Sequence, residues 1–352
     1  MEFERQAIVN TISSAAGDLL ARHSSYTALE IERLFEADSA LLRENPYALA
    51  APLNTVRARR SDWRVFIRFC AERHYTPLPA APVVVREFLE ASFGGAEPKS
   101  VATVERYLST IAHAHTLADL PDPTKTAQVK GAYRHLARDR PNSQPKAALR
   151  GSHITYALEH LRTKNPPWDL RARALLAVAY CTMARRAELV ALRVEDLSIN
   201  TEAGDGSALI RNTKAGREES RYLSREAVMW LKAWLCHAQI KGGMVFCRFT
   251  PTGKVGQSAI APQEVARIIQ RVGRTLNAQH GSGEHAWPAD LISAHSTRIG
   301  AAHDLAASGI DLTSIMHSGG WNDPKMPRYY TRELAAQESG MARMMKAKGH
   351  LK

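Results

Sequence analysis

Seven residues in the second half of the chain have side chains that could act together on a phosphodiester. In chain order they are Arg185, Glu188, Lys214, His295, Arg298, Trp321 and Tyr330. Guanidinium groups bind phosphate oxygens through paired hydrogen bonds, and an indole N–H donates one more. A phenol can serve as a covalent nucleophile. These residue types predict phosphoryl transfer through a tyrosine, provided that the fold brings them together.

A predicted helix near the end of the chain carries two of them. Ser293 or Ser296 can cap this helix, its apolar residues recur at helical spacing, and Gly309 can end it. His295 and Arg298 lie three residues apart and would project from one face near the N-terminus. Because unpaired N–H groups and the helix dipole already attract anions there, the pair indicates a site for one phosphate.

The segment that follows contains the candidate nucleophile. A second short helix, about 312–317, is expected to break at Ser318-Gly319-Gly320 and to present Trp321. Tyr329 and Tyr330 then close a stretch interrupted by prolines, which predicts a loosely held segment. Taken alone, these residues also fit a helix-cap pair and aromatic packing, so the functional interpretation depends on the rest of the chain.

Arg185 and Glu188 come at the end of a strongly apolar helix expected over 169–184. Their i,i+3 spacing permits an ordinary ion pair, or allows Glu188 to orient the Arg185 fork towards an anionic ligand. Beyond them the hydrophobic period changes to two and predicts a three-stranded meander with Lys214 in its second turn. A hairpin lysine usually faces solvent, but a finger-like turn could also bring it to a site as a proton donor.

The composition indicates a soluble intracellular protein with a polyanionic partner. The 352 residues carry a formal net charge of +12. No stretch has the pattern of a signal peptide or a membrane span, so no membrane partner is expected. The four cysteines lie far apart in apolar stretches, which predicts reduced core thiols. Neither they nor His280, His285 and His295 have metal-ligand spacing, so no metal or cofactor is predicted.

The pattern of periodic segments predicts a mainly α protein of two domains. We expect a helical extension over 1–45, a helical bundle over 46–140, a linker at 141–151, a mixed α+β domain with a small three-stranded sheet over 152–333, and a C-terminal helix over 334–352. The last helix is amphipathic and therefore needs an apolar surface, its own or a neighbour's.

Cations recur on one side of several predicted helices. Such a row is either a solvated basic face or a surface for phosphate contact. The candidate DNA-binding residues are Arg57, Arg60, Arg64, Arg68, Lys99, Arg106, Lys130, Arg134, Arg138, Gln263 and Arg267.

These motifs, in this order, resemble the tyrosine recombinases of the phage integrase family. The likeness lies in ARRAEL followed by VALRVEDL, in NTK of the predicted hairpin, and in HSTRIGAAHDLAASGIDLTSIMHSGGWNDPKMPRYY. It is strong over 170–345, weaker over 50–140, and does not extend to 1–40. Tyr330 lies nine residues after Trp321, the interval that the resemblance favours, so Tyr330 is the expected nucleophile. The run from Pro324 to Pro327 departs from the family, which has a smoother helix there.

The resemblance implies site-specific recombination of DNA without metal or cofactor. It implies a SAM-like core-binding bundle and a catalytic domain that clamp double-stranded DNA at inverted-repeat sites. It also implies a tetramer on two sites, in which the C-terminal helix docks on the next protomer. In the reaction that it implies, Tyr330 attacks a phosphate and forms a 3′-phosphotyrosine. The residues around that phosphate would be Arg185, Arg298, His295 and Trp321, with Glu188 holding Arg185 or His295 and Lys214 as general acid.

Two other interpretations stay open. The chain could be a DNA-binding accessory protein with an inactive site, although all seven positions carry competent residue types. Alternatively, the same chemistry could serve a phage integrase, a chromosome-dimer resolvase or a type IB topoisomerase.

Overall fold

The computed structural model describes residues 53–138, 140, 146–211, 218–281, 286–337 and 340–347. The chain divides into two compact units, residues 1–144 and 145–352. The extension expected over 1–45 lies outside the described residues. The described part is mostly helical with two small antiparallel sheets, which confirms the predicted mainly α fold.

The described part of the first unit contains four α-helices and a short 3-10 helix, Pro123–Lys125. The α-helices are α1 (Leu53–Glu72), α2 (Pro82–Gly94), α3 (Val101–Leu117) and α4 (Ala127–Arg138). Their apolar stripes meet in one aromatic-rich core, in which Trp63, Phe66 and Phe93 are fully buried. Ser100 caps α3 by accepting a hydrogen bond from the Thr103 N–H group. Each helix thus buries one stripe and leaves its charged side to solvent, as its periodicity predicts.

The second unit is built around one buried helix. It begins with α5 (Gly151–His160), followed by α6 (Pro166–Thr182), which is buried on nearly all sides from Trp168 to Ala179. Over 174–179 this helix is apolar on all sides, as expected in the middle of a core. α6 ends at Met183 in the left-handed conformation (φ 49°), and this turn directs the chain into α7 (Arg186–Ala191) with Arg185 as its N-cap residue.

The predicted meander is present as a three-stranded antiparallel sheet. Its strands β1 (Leu197–Ile199), β2 (Gly206–Ile210) and β3 (Glu219–Leu223) pair in sequential order. In β3, Arg221 and Leu223 are buried, whereas Ser220 and Tyr222 are exposed. The sheet therefore packs one face on the unit's core.

A second, two-stranded sheet goes beyond the sequence prediction. It consists of β4 (Cys247–Phe249) and β5 (Val255–Ala259), and its register is irregular between Cys247 and Phe249. The sequence of β5, Val-Gly-Gln-Ser-Ala, has one large apolar residue and no apolar–polar alternation, so no pattern marks it as a strand. The sheet lies between two helices, α8 (Arg225–His237) and α9 (Pro262–His280), in the chain.

The last part of the chain is helical. Its elements are α10 (Ser296–Ala307), α11 (Leu312–Gly319), α12 (Lys325–Gln337) and α13 (Gly340–Ala347). His295 is the N-cap residue of α10 and not part of the helix. Neither Ser293 nor Ser296 caps α10 as expected. Instead Ser293 Oγ accepts from the His295 N–H group at 3.1 Å and Ser296 Oγ accepts from the Ser293 N–H group at 2.9 Å, which fixes the turn before the helix.

The tyrosines do not lie in a loose segment. Tyr329 and Tyr330 are both within α12, which starts directly after Pro324 and contains Pro327. Proline is tolerated there because the first N–H groups of a helix have no intrahelical acceptor. The Arg328 N–H group donates to the Pro324 carbonyl at 3.0 Å, so the helix is already closed at its first turn.

The thiols are free, but they are not all in the core. Cys70 and Cys247 are buried, Cys181 is partly buried, and Cys236 is exposed. Cys236 follows the fully buried Trp234 by two residues of α8, which turns it to the opposite side of the helix. No helix in the described ranges is both long enough and apolar enough to cross a bilayer.

Candidate active site

Arg185 and Glu188 form a close pair at the start of α7. Arg185 Nη1 donates to Glu188 Oε1 at 2.7 Å, and the Arg185 N–H group donates to Glu188 Oε2 at 2.8 Å. Glu188 is only 3% exposed. The second terminal nitrogen of Arg185, Nη2, donates to the Gly320 carbonyl at 3.1 Å. The carboxylate therefore caps the helix and at the same time orients a guanidinium that is held at both ends.

Arg298 reaches the same region from α10. It is 2% exposed, and its Nη1 donates to the Met183 carbonyl, two residues before Arg185. Its Nη2 has no hydrogen-bond partner among the described residues. Burial, together with the neighbouring Arg185, lowers the pKa of Arg298 to about 9. A buried cation with an unpaired donor is costly, so an anionic ligand that accepts this hydrogen bond would stabilise the site.

Trp321 covers Arg298. The guanidinium carbon of Arg298 lies 3.9 Å from the centroid of the indole ring, a cation–π arrangement. Gly320, the residue after α11, is in the left-handed conformation (φ 59°). This lets the backbone N–H group of Trp321 donate to the Met316 carbonyl at 2.9 Å. A side chain on Gly319 would collide with the ring, so the Gly319-Gly320 break is what makes room for Trp321.

Of the two tyrosines, Tyr330 faces Trp321 and Arg298, and Tyr329 does not. The ring centroids of Tyr330 and Trp321 are 6.1 Å apart, and Tyr330 packs against the small cluster that includes Met183 and Ile315. Burial raises the pKa of Tyr330, while Arg298 and Arg185 counteract this rise. Tyr329 is 43% exposed. The structure therefore brings one of the two tyrosines to the arginines.

His295 lies at the edge of the site. The residue is exposed, but the protein around it partly desolvates the ring and so lowers its pKa. Arg298, Arg186 and Arg185 lower the pKa further. The imidazole is therefore neutral near pH 7 and can accept a proton.

Two guanidinium groups, a neutral imidazole and a phenol thus share one region. Such a set can hold an anion between the guanidinium groups and activate a phenolic nucleophile beside it. The seventh candidate, Lys214, lies outside the described residues. Among the residues that the structure describes, no three His, Cys, Asp or Glu side chains come together in a way that could hold a metal ion.

The candidate DNA-binding residues lie at or near the surfaces of their own units. In the first unit all are exposed or partly exposed. Arg106, however, is committed to an ion pair with the buried Asp62 at 3.1 Å. Lys99 is paired with Glu97 at 3.3 Å. In the second unit, Gln263 and Arg267 are exposed on α9.

Sequence reasoning misses two residues that hold this region together. Arg221 of β3 is 4% exposed and bonds to backbone carbonyls beside the site. Asp304 of α10 accepts from the Tyr180 hydroxyl at 2.5 Å and from the Gly151 N–H group at 2.6 Å. For Arg221 a signal exists, because the alternation of β3 puts it on the same face as Leu223. Asp304 gives no comparable signal.

Comparison with known proteins identifies the family of the chain. The model of the phage integrase family matches residues 148–337, which is more than half of the chain and contains all seven candidate residues. The recombinase Cre of Escherichia phage P1 is 26% identical over 351 residues, a span that covers 93% of this chain and 98% of Cre.

Solved structures show the same fold. The XerH site-specific recombinase bound to a palindromic difH substrate superposes with a TM-score of 0.54 at 19% identity, over 88% of this chain and 84% of that one. A lambda integrase tetramer bound to a Holliday junction has a TM-score of 0.57 at 15% identity, over 89% of this chain and 80% of that one. With the family match over more than half of its length, the chain belongs to the phage integrase family and is a tyrosine site-specific recombinase.

Proposed function

We propose that this enzyme cleaves and rejoins DNA strands by attack of Tyr330 on a backbone phosphate. The phosphate lies between Arg185 and Arg298, with His295 and Trp321 beside it. Glu188 holds Arg185 in place, and Lys214 serves as the general acid.

The observation that carries the proposal is the unpaired Nη2 atom of the buried Arg298. It belongs to a guanidinium whose neighbours include a second guanidinium, that of Arg185. Both arginines already use other nitrogens on protein oxygens, those of Met183 and of Glu188 and Gly320. Two cations side by side repel each other, so the arrangement favours a ligand that brings negative charge. A phosphodiester does this, and its transition state does so more strongly.

The proposed chemistry balances without a cofactor. A bond forms between Tyr330 Oη and phosphorus, and the bond from phosphorus to the 5′ oxygen breaks. The phenolic proton passes to His295, whose lowered pKa keeps it neutral. The departing 5′ oxygen takes a proton from Lys214, leaving a 3′-phosphotyrosine and a 5′-hydroxyl. Attack of a 5′-hydroxyl on the phosphotyrosine reverses these steps and reseals a strand.

We propose double-stranded DNA with an inverted-repeat site as the partner, in a tetramer on two such sites, as in Cre-like recombination. The net charge of +12 supports a polyanionic ligand. The relatives support the assembly, since one solved structure is a lambda integrase tetramer on a Holliday junction. Met341 and Met344 of α13 are 66% and 41% exposed, which supports a role for this helix in docking on another protomer.

A nicked suicide DNA substrate tests the chemistry. The substrate carries the target site found by footprinting and loses a short fragment after cleavage, so that the covalent adduct accumulates. We expect an adduct with the wild type in the presence of EDTA, none with Tyr330→Phe, and an adduct with the matched control Tyr329→Phe. An adduct that survives in Tyr330→Phe, or one that requires a divalent cation, would contradict the proposal. Supercoiled plasmids with one or two sites then distinguish Cre-like recombination from integration and dimer resolution.

A further inference from the structure

Arg221 is a buried arginine that none of the proposed chemical steps uses. It lies on β3 and is 4% exposed, and its Nη2 forms an ion pair with Glu219 on the same strand. A buried guanidinium is costly unless its hydrogen bonds are well used. The hydrogen bonds of Arg221 to backbone carbonyls indicate its role.

Arg221 Nη1 joins two backbone segments that flank the site. It donates to the Thr182 carbonyl at 3.0 Å and to the Ser318 carbonyl at 2.8 Å. Thr182 is the last residue of α6, and Ser318 lies in the last turn of α11. One nitrogen atom therefore ties the end of the central helix to the turn that precedes Trp321.

The proposed phosphate ligands use the same two segments. Arg298 Nη1 donates to the carbonyl of Met183, the residue after Thr182. Arg185 Nη2 donates to the carbonyl of Gly320, two residues after Ser318. The two segments thus hold three guanidinium groups, and of these only the one of Arg221 bonds to both.

Gly320 is packed directly against Arg221. A side chain on Gly320 would collide with Arg221 Nη2, and the left-handed φ of 59° also favours glycine. The guanidinium of Arg221 therefore supports the backbone whose carbonyl orients Arg185. The same turn carries the Trp321 ring to its place over Arg298.

We propose that Arg221 is a positioning residue for strand cleavage, which holds the 318–321 turn against the end of α6 so that Arg185, Arg298 and Trp321 converge on one phosphate. This role rests on the proposed function. Arg221 itself does not contact DNA. Displacement of reacting groups by about 1 Å can lower a rate by about 10²-fold, so loss of this cross-link is expected to reduce cleavage far more than folding stability.

Replacing a buried arginine that only stabilises the fold should not slow DNA cleavage, and the chain contains such an arginine for comparison. Arg171 in α6 is 6% exposed, donates to the Cys247 carbonyl at 2.8 Å, and stacks over the Phe249 ring. It is as buried as Arg221 but bonds to the second sheet. Arg171→Met is therefore the matched control for Arg221→Met.

The test is a double-mutant cycle on the single-turnover rate of adduct formation with the suicide substrate. Four proteins are compared, each at a concentration that saturates the DNA substrate: wild type, Arg221→Met, Trp321→Ala and the double variant. We expect Arg221→Met to slow adduct formation by about 10²-fold in the wild-type background and by clearly less in Trp321→Ala, because the Trp321 ring, one of the groups that the turn positions, is already absent. Arg171→Met should leave the rate within about threefold of the wild type at a similar loss of melting temperature.

Equal fold-losses in both backgrounds, or a slowing in Arg171→Met as large as in Arg221→Met, would overturn the positioning role. If Arg221→Met does not fold, the same cycle is run with Arg221→Lys, which keeps the charge but lacks the planar fork and is expected to be slowed in the same background-dependent way. No adduct with the wild type would instead remove the proposed function, and the positioning role with it.

Discussion

The guanidinium group of Arg298 lies against the face of the Trp321 ring, with 3.9 Å between its central carbon and the ring centroid. The ring therefore shields a buried cation, and its contribution to the site does not depend on the indole N–H group alone. This relationship explains why the Gly319-Gly320 break, which admits the ring, lies next to residues that bind phosphate in the proposed mechanism.

Replacement of Trp321 separates shielding from hydrogen bonding. Trp321→Ala removes the cation–π contact and part of the packing, and we expect it to lower the free energy of unfolding by about 2–4 kcal/mol. Trp321→Phe keeps a ring face without the indole N–H donor. Its loss in the free energy of unfolding should be less than half of that of Trp321→Ala, while it should cleave DNA more slowly than the wild type. Urea unfolding and single-turnover cleavage measure the two effects. A Phe variant as unstable as the Ala variant would contradict the shielding role.

Loss of the Glu188 carboxylate should weaken both folding and cleavage. Glu188→Gln leaves an amide that cannot accept from both the Arg185 side chain and its backbone N–H group with equal strength. We expect a loss of about 1–3 kcal/mol in the free energy of unfolding, because the pair is buried. Glu218→Gln is the control, since Glu218 pairs with Arg211 on the surface and should cost less than about 1 kcal/mol. Equal losses in the two variants would contradict the buried role of Glu188.

The lowered pKa of His295 predicts a specific pH dependence of stability. Burial is the main cause, and Arg298, Arg186 and Arg185 add to it, while Glu188 opposes it. Below the ordinary value of 6.5 the unfolded chain takes up the proton while the folded protein resists it. The wild type therefore loses stability as the pH falls through 6.5 towards the lower folded pKa, and this penalty is absent above 6.5.

The measurement is the free energy of unfolding of wild type and His295→Gln at pH 7.5 and pH 5. We expect the wild type to lose more stability than the variant over this interval. His237→Gln, at an exposed position at the end of α8, should follow the wild type. The same loss in wild type and His295→Gln would show that the His295 ring is not desolvated.

The basic residues of the first unit should differ in what they contribute. Arg57 and Arg68 are exposed, and each alanine variant should reduce the slope of log binding constant against log salt by about 1 with little change in stability. Arg106→Ala should in addition cost about 1–3 kcal/mol of folding free energy, because Asp62 would stay buried without its ion pair. An Arg106→Ala protein as stable as Arg57→Ala would show that Asp62 does not depend on this pair.

Much of the fold follows from local patterns in the sequence, and the exceptions have physical causes. The helices of the first unit and the three-stranded sheet follow from their hydrophobic periods. The second sheet is missed because β5 lacks the apolar–polar alternation that marks a strand. Proline is read as a breaker at Pro324 and Pro327, although α12 begins there and its first N–H groups need no partner.

The candidate site shows a similar limit. Arg185 and Glu188 can be paired from their spacing because helical neighbours are local. Arg298 lies near Arg185 and Glu188 because α10 packs against the end of α6. No local sequence pattern encodes this packing. The role of Arg221 cannot be predicted from the sequence for the same reason, since both of its backbone acceptors are far from it in the chain.

Identification of the residue that carries the DNA after cleavage tests the central claim most directly. The adduct formed on the suicide substrate is digested with nuclease and with trypsin, and fragment-ion mass spectrometry locates the residual nucleotide within the segment from Tyr329 to Arg332. We predict that the nucleotide mass is on Tyr330, the tyrosine whose ring lies 6.1 Å from that of Trp321. Attachment to Tyr329, or to any other residue, would contradict the account.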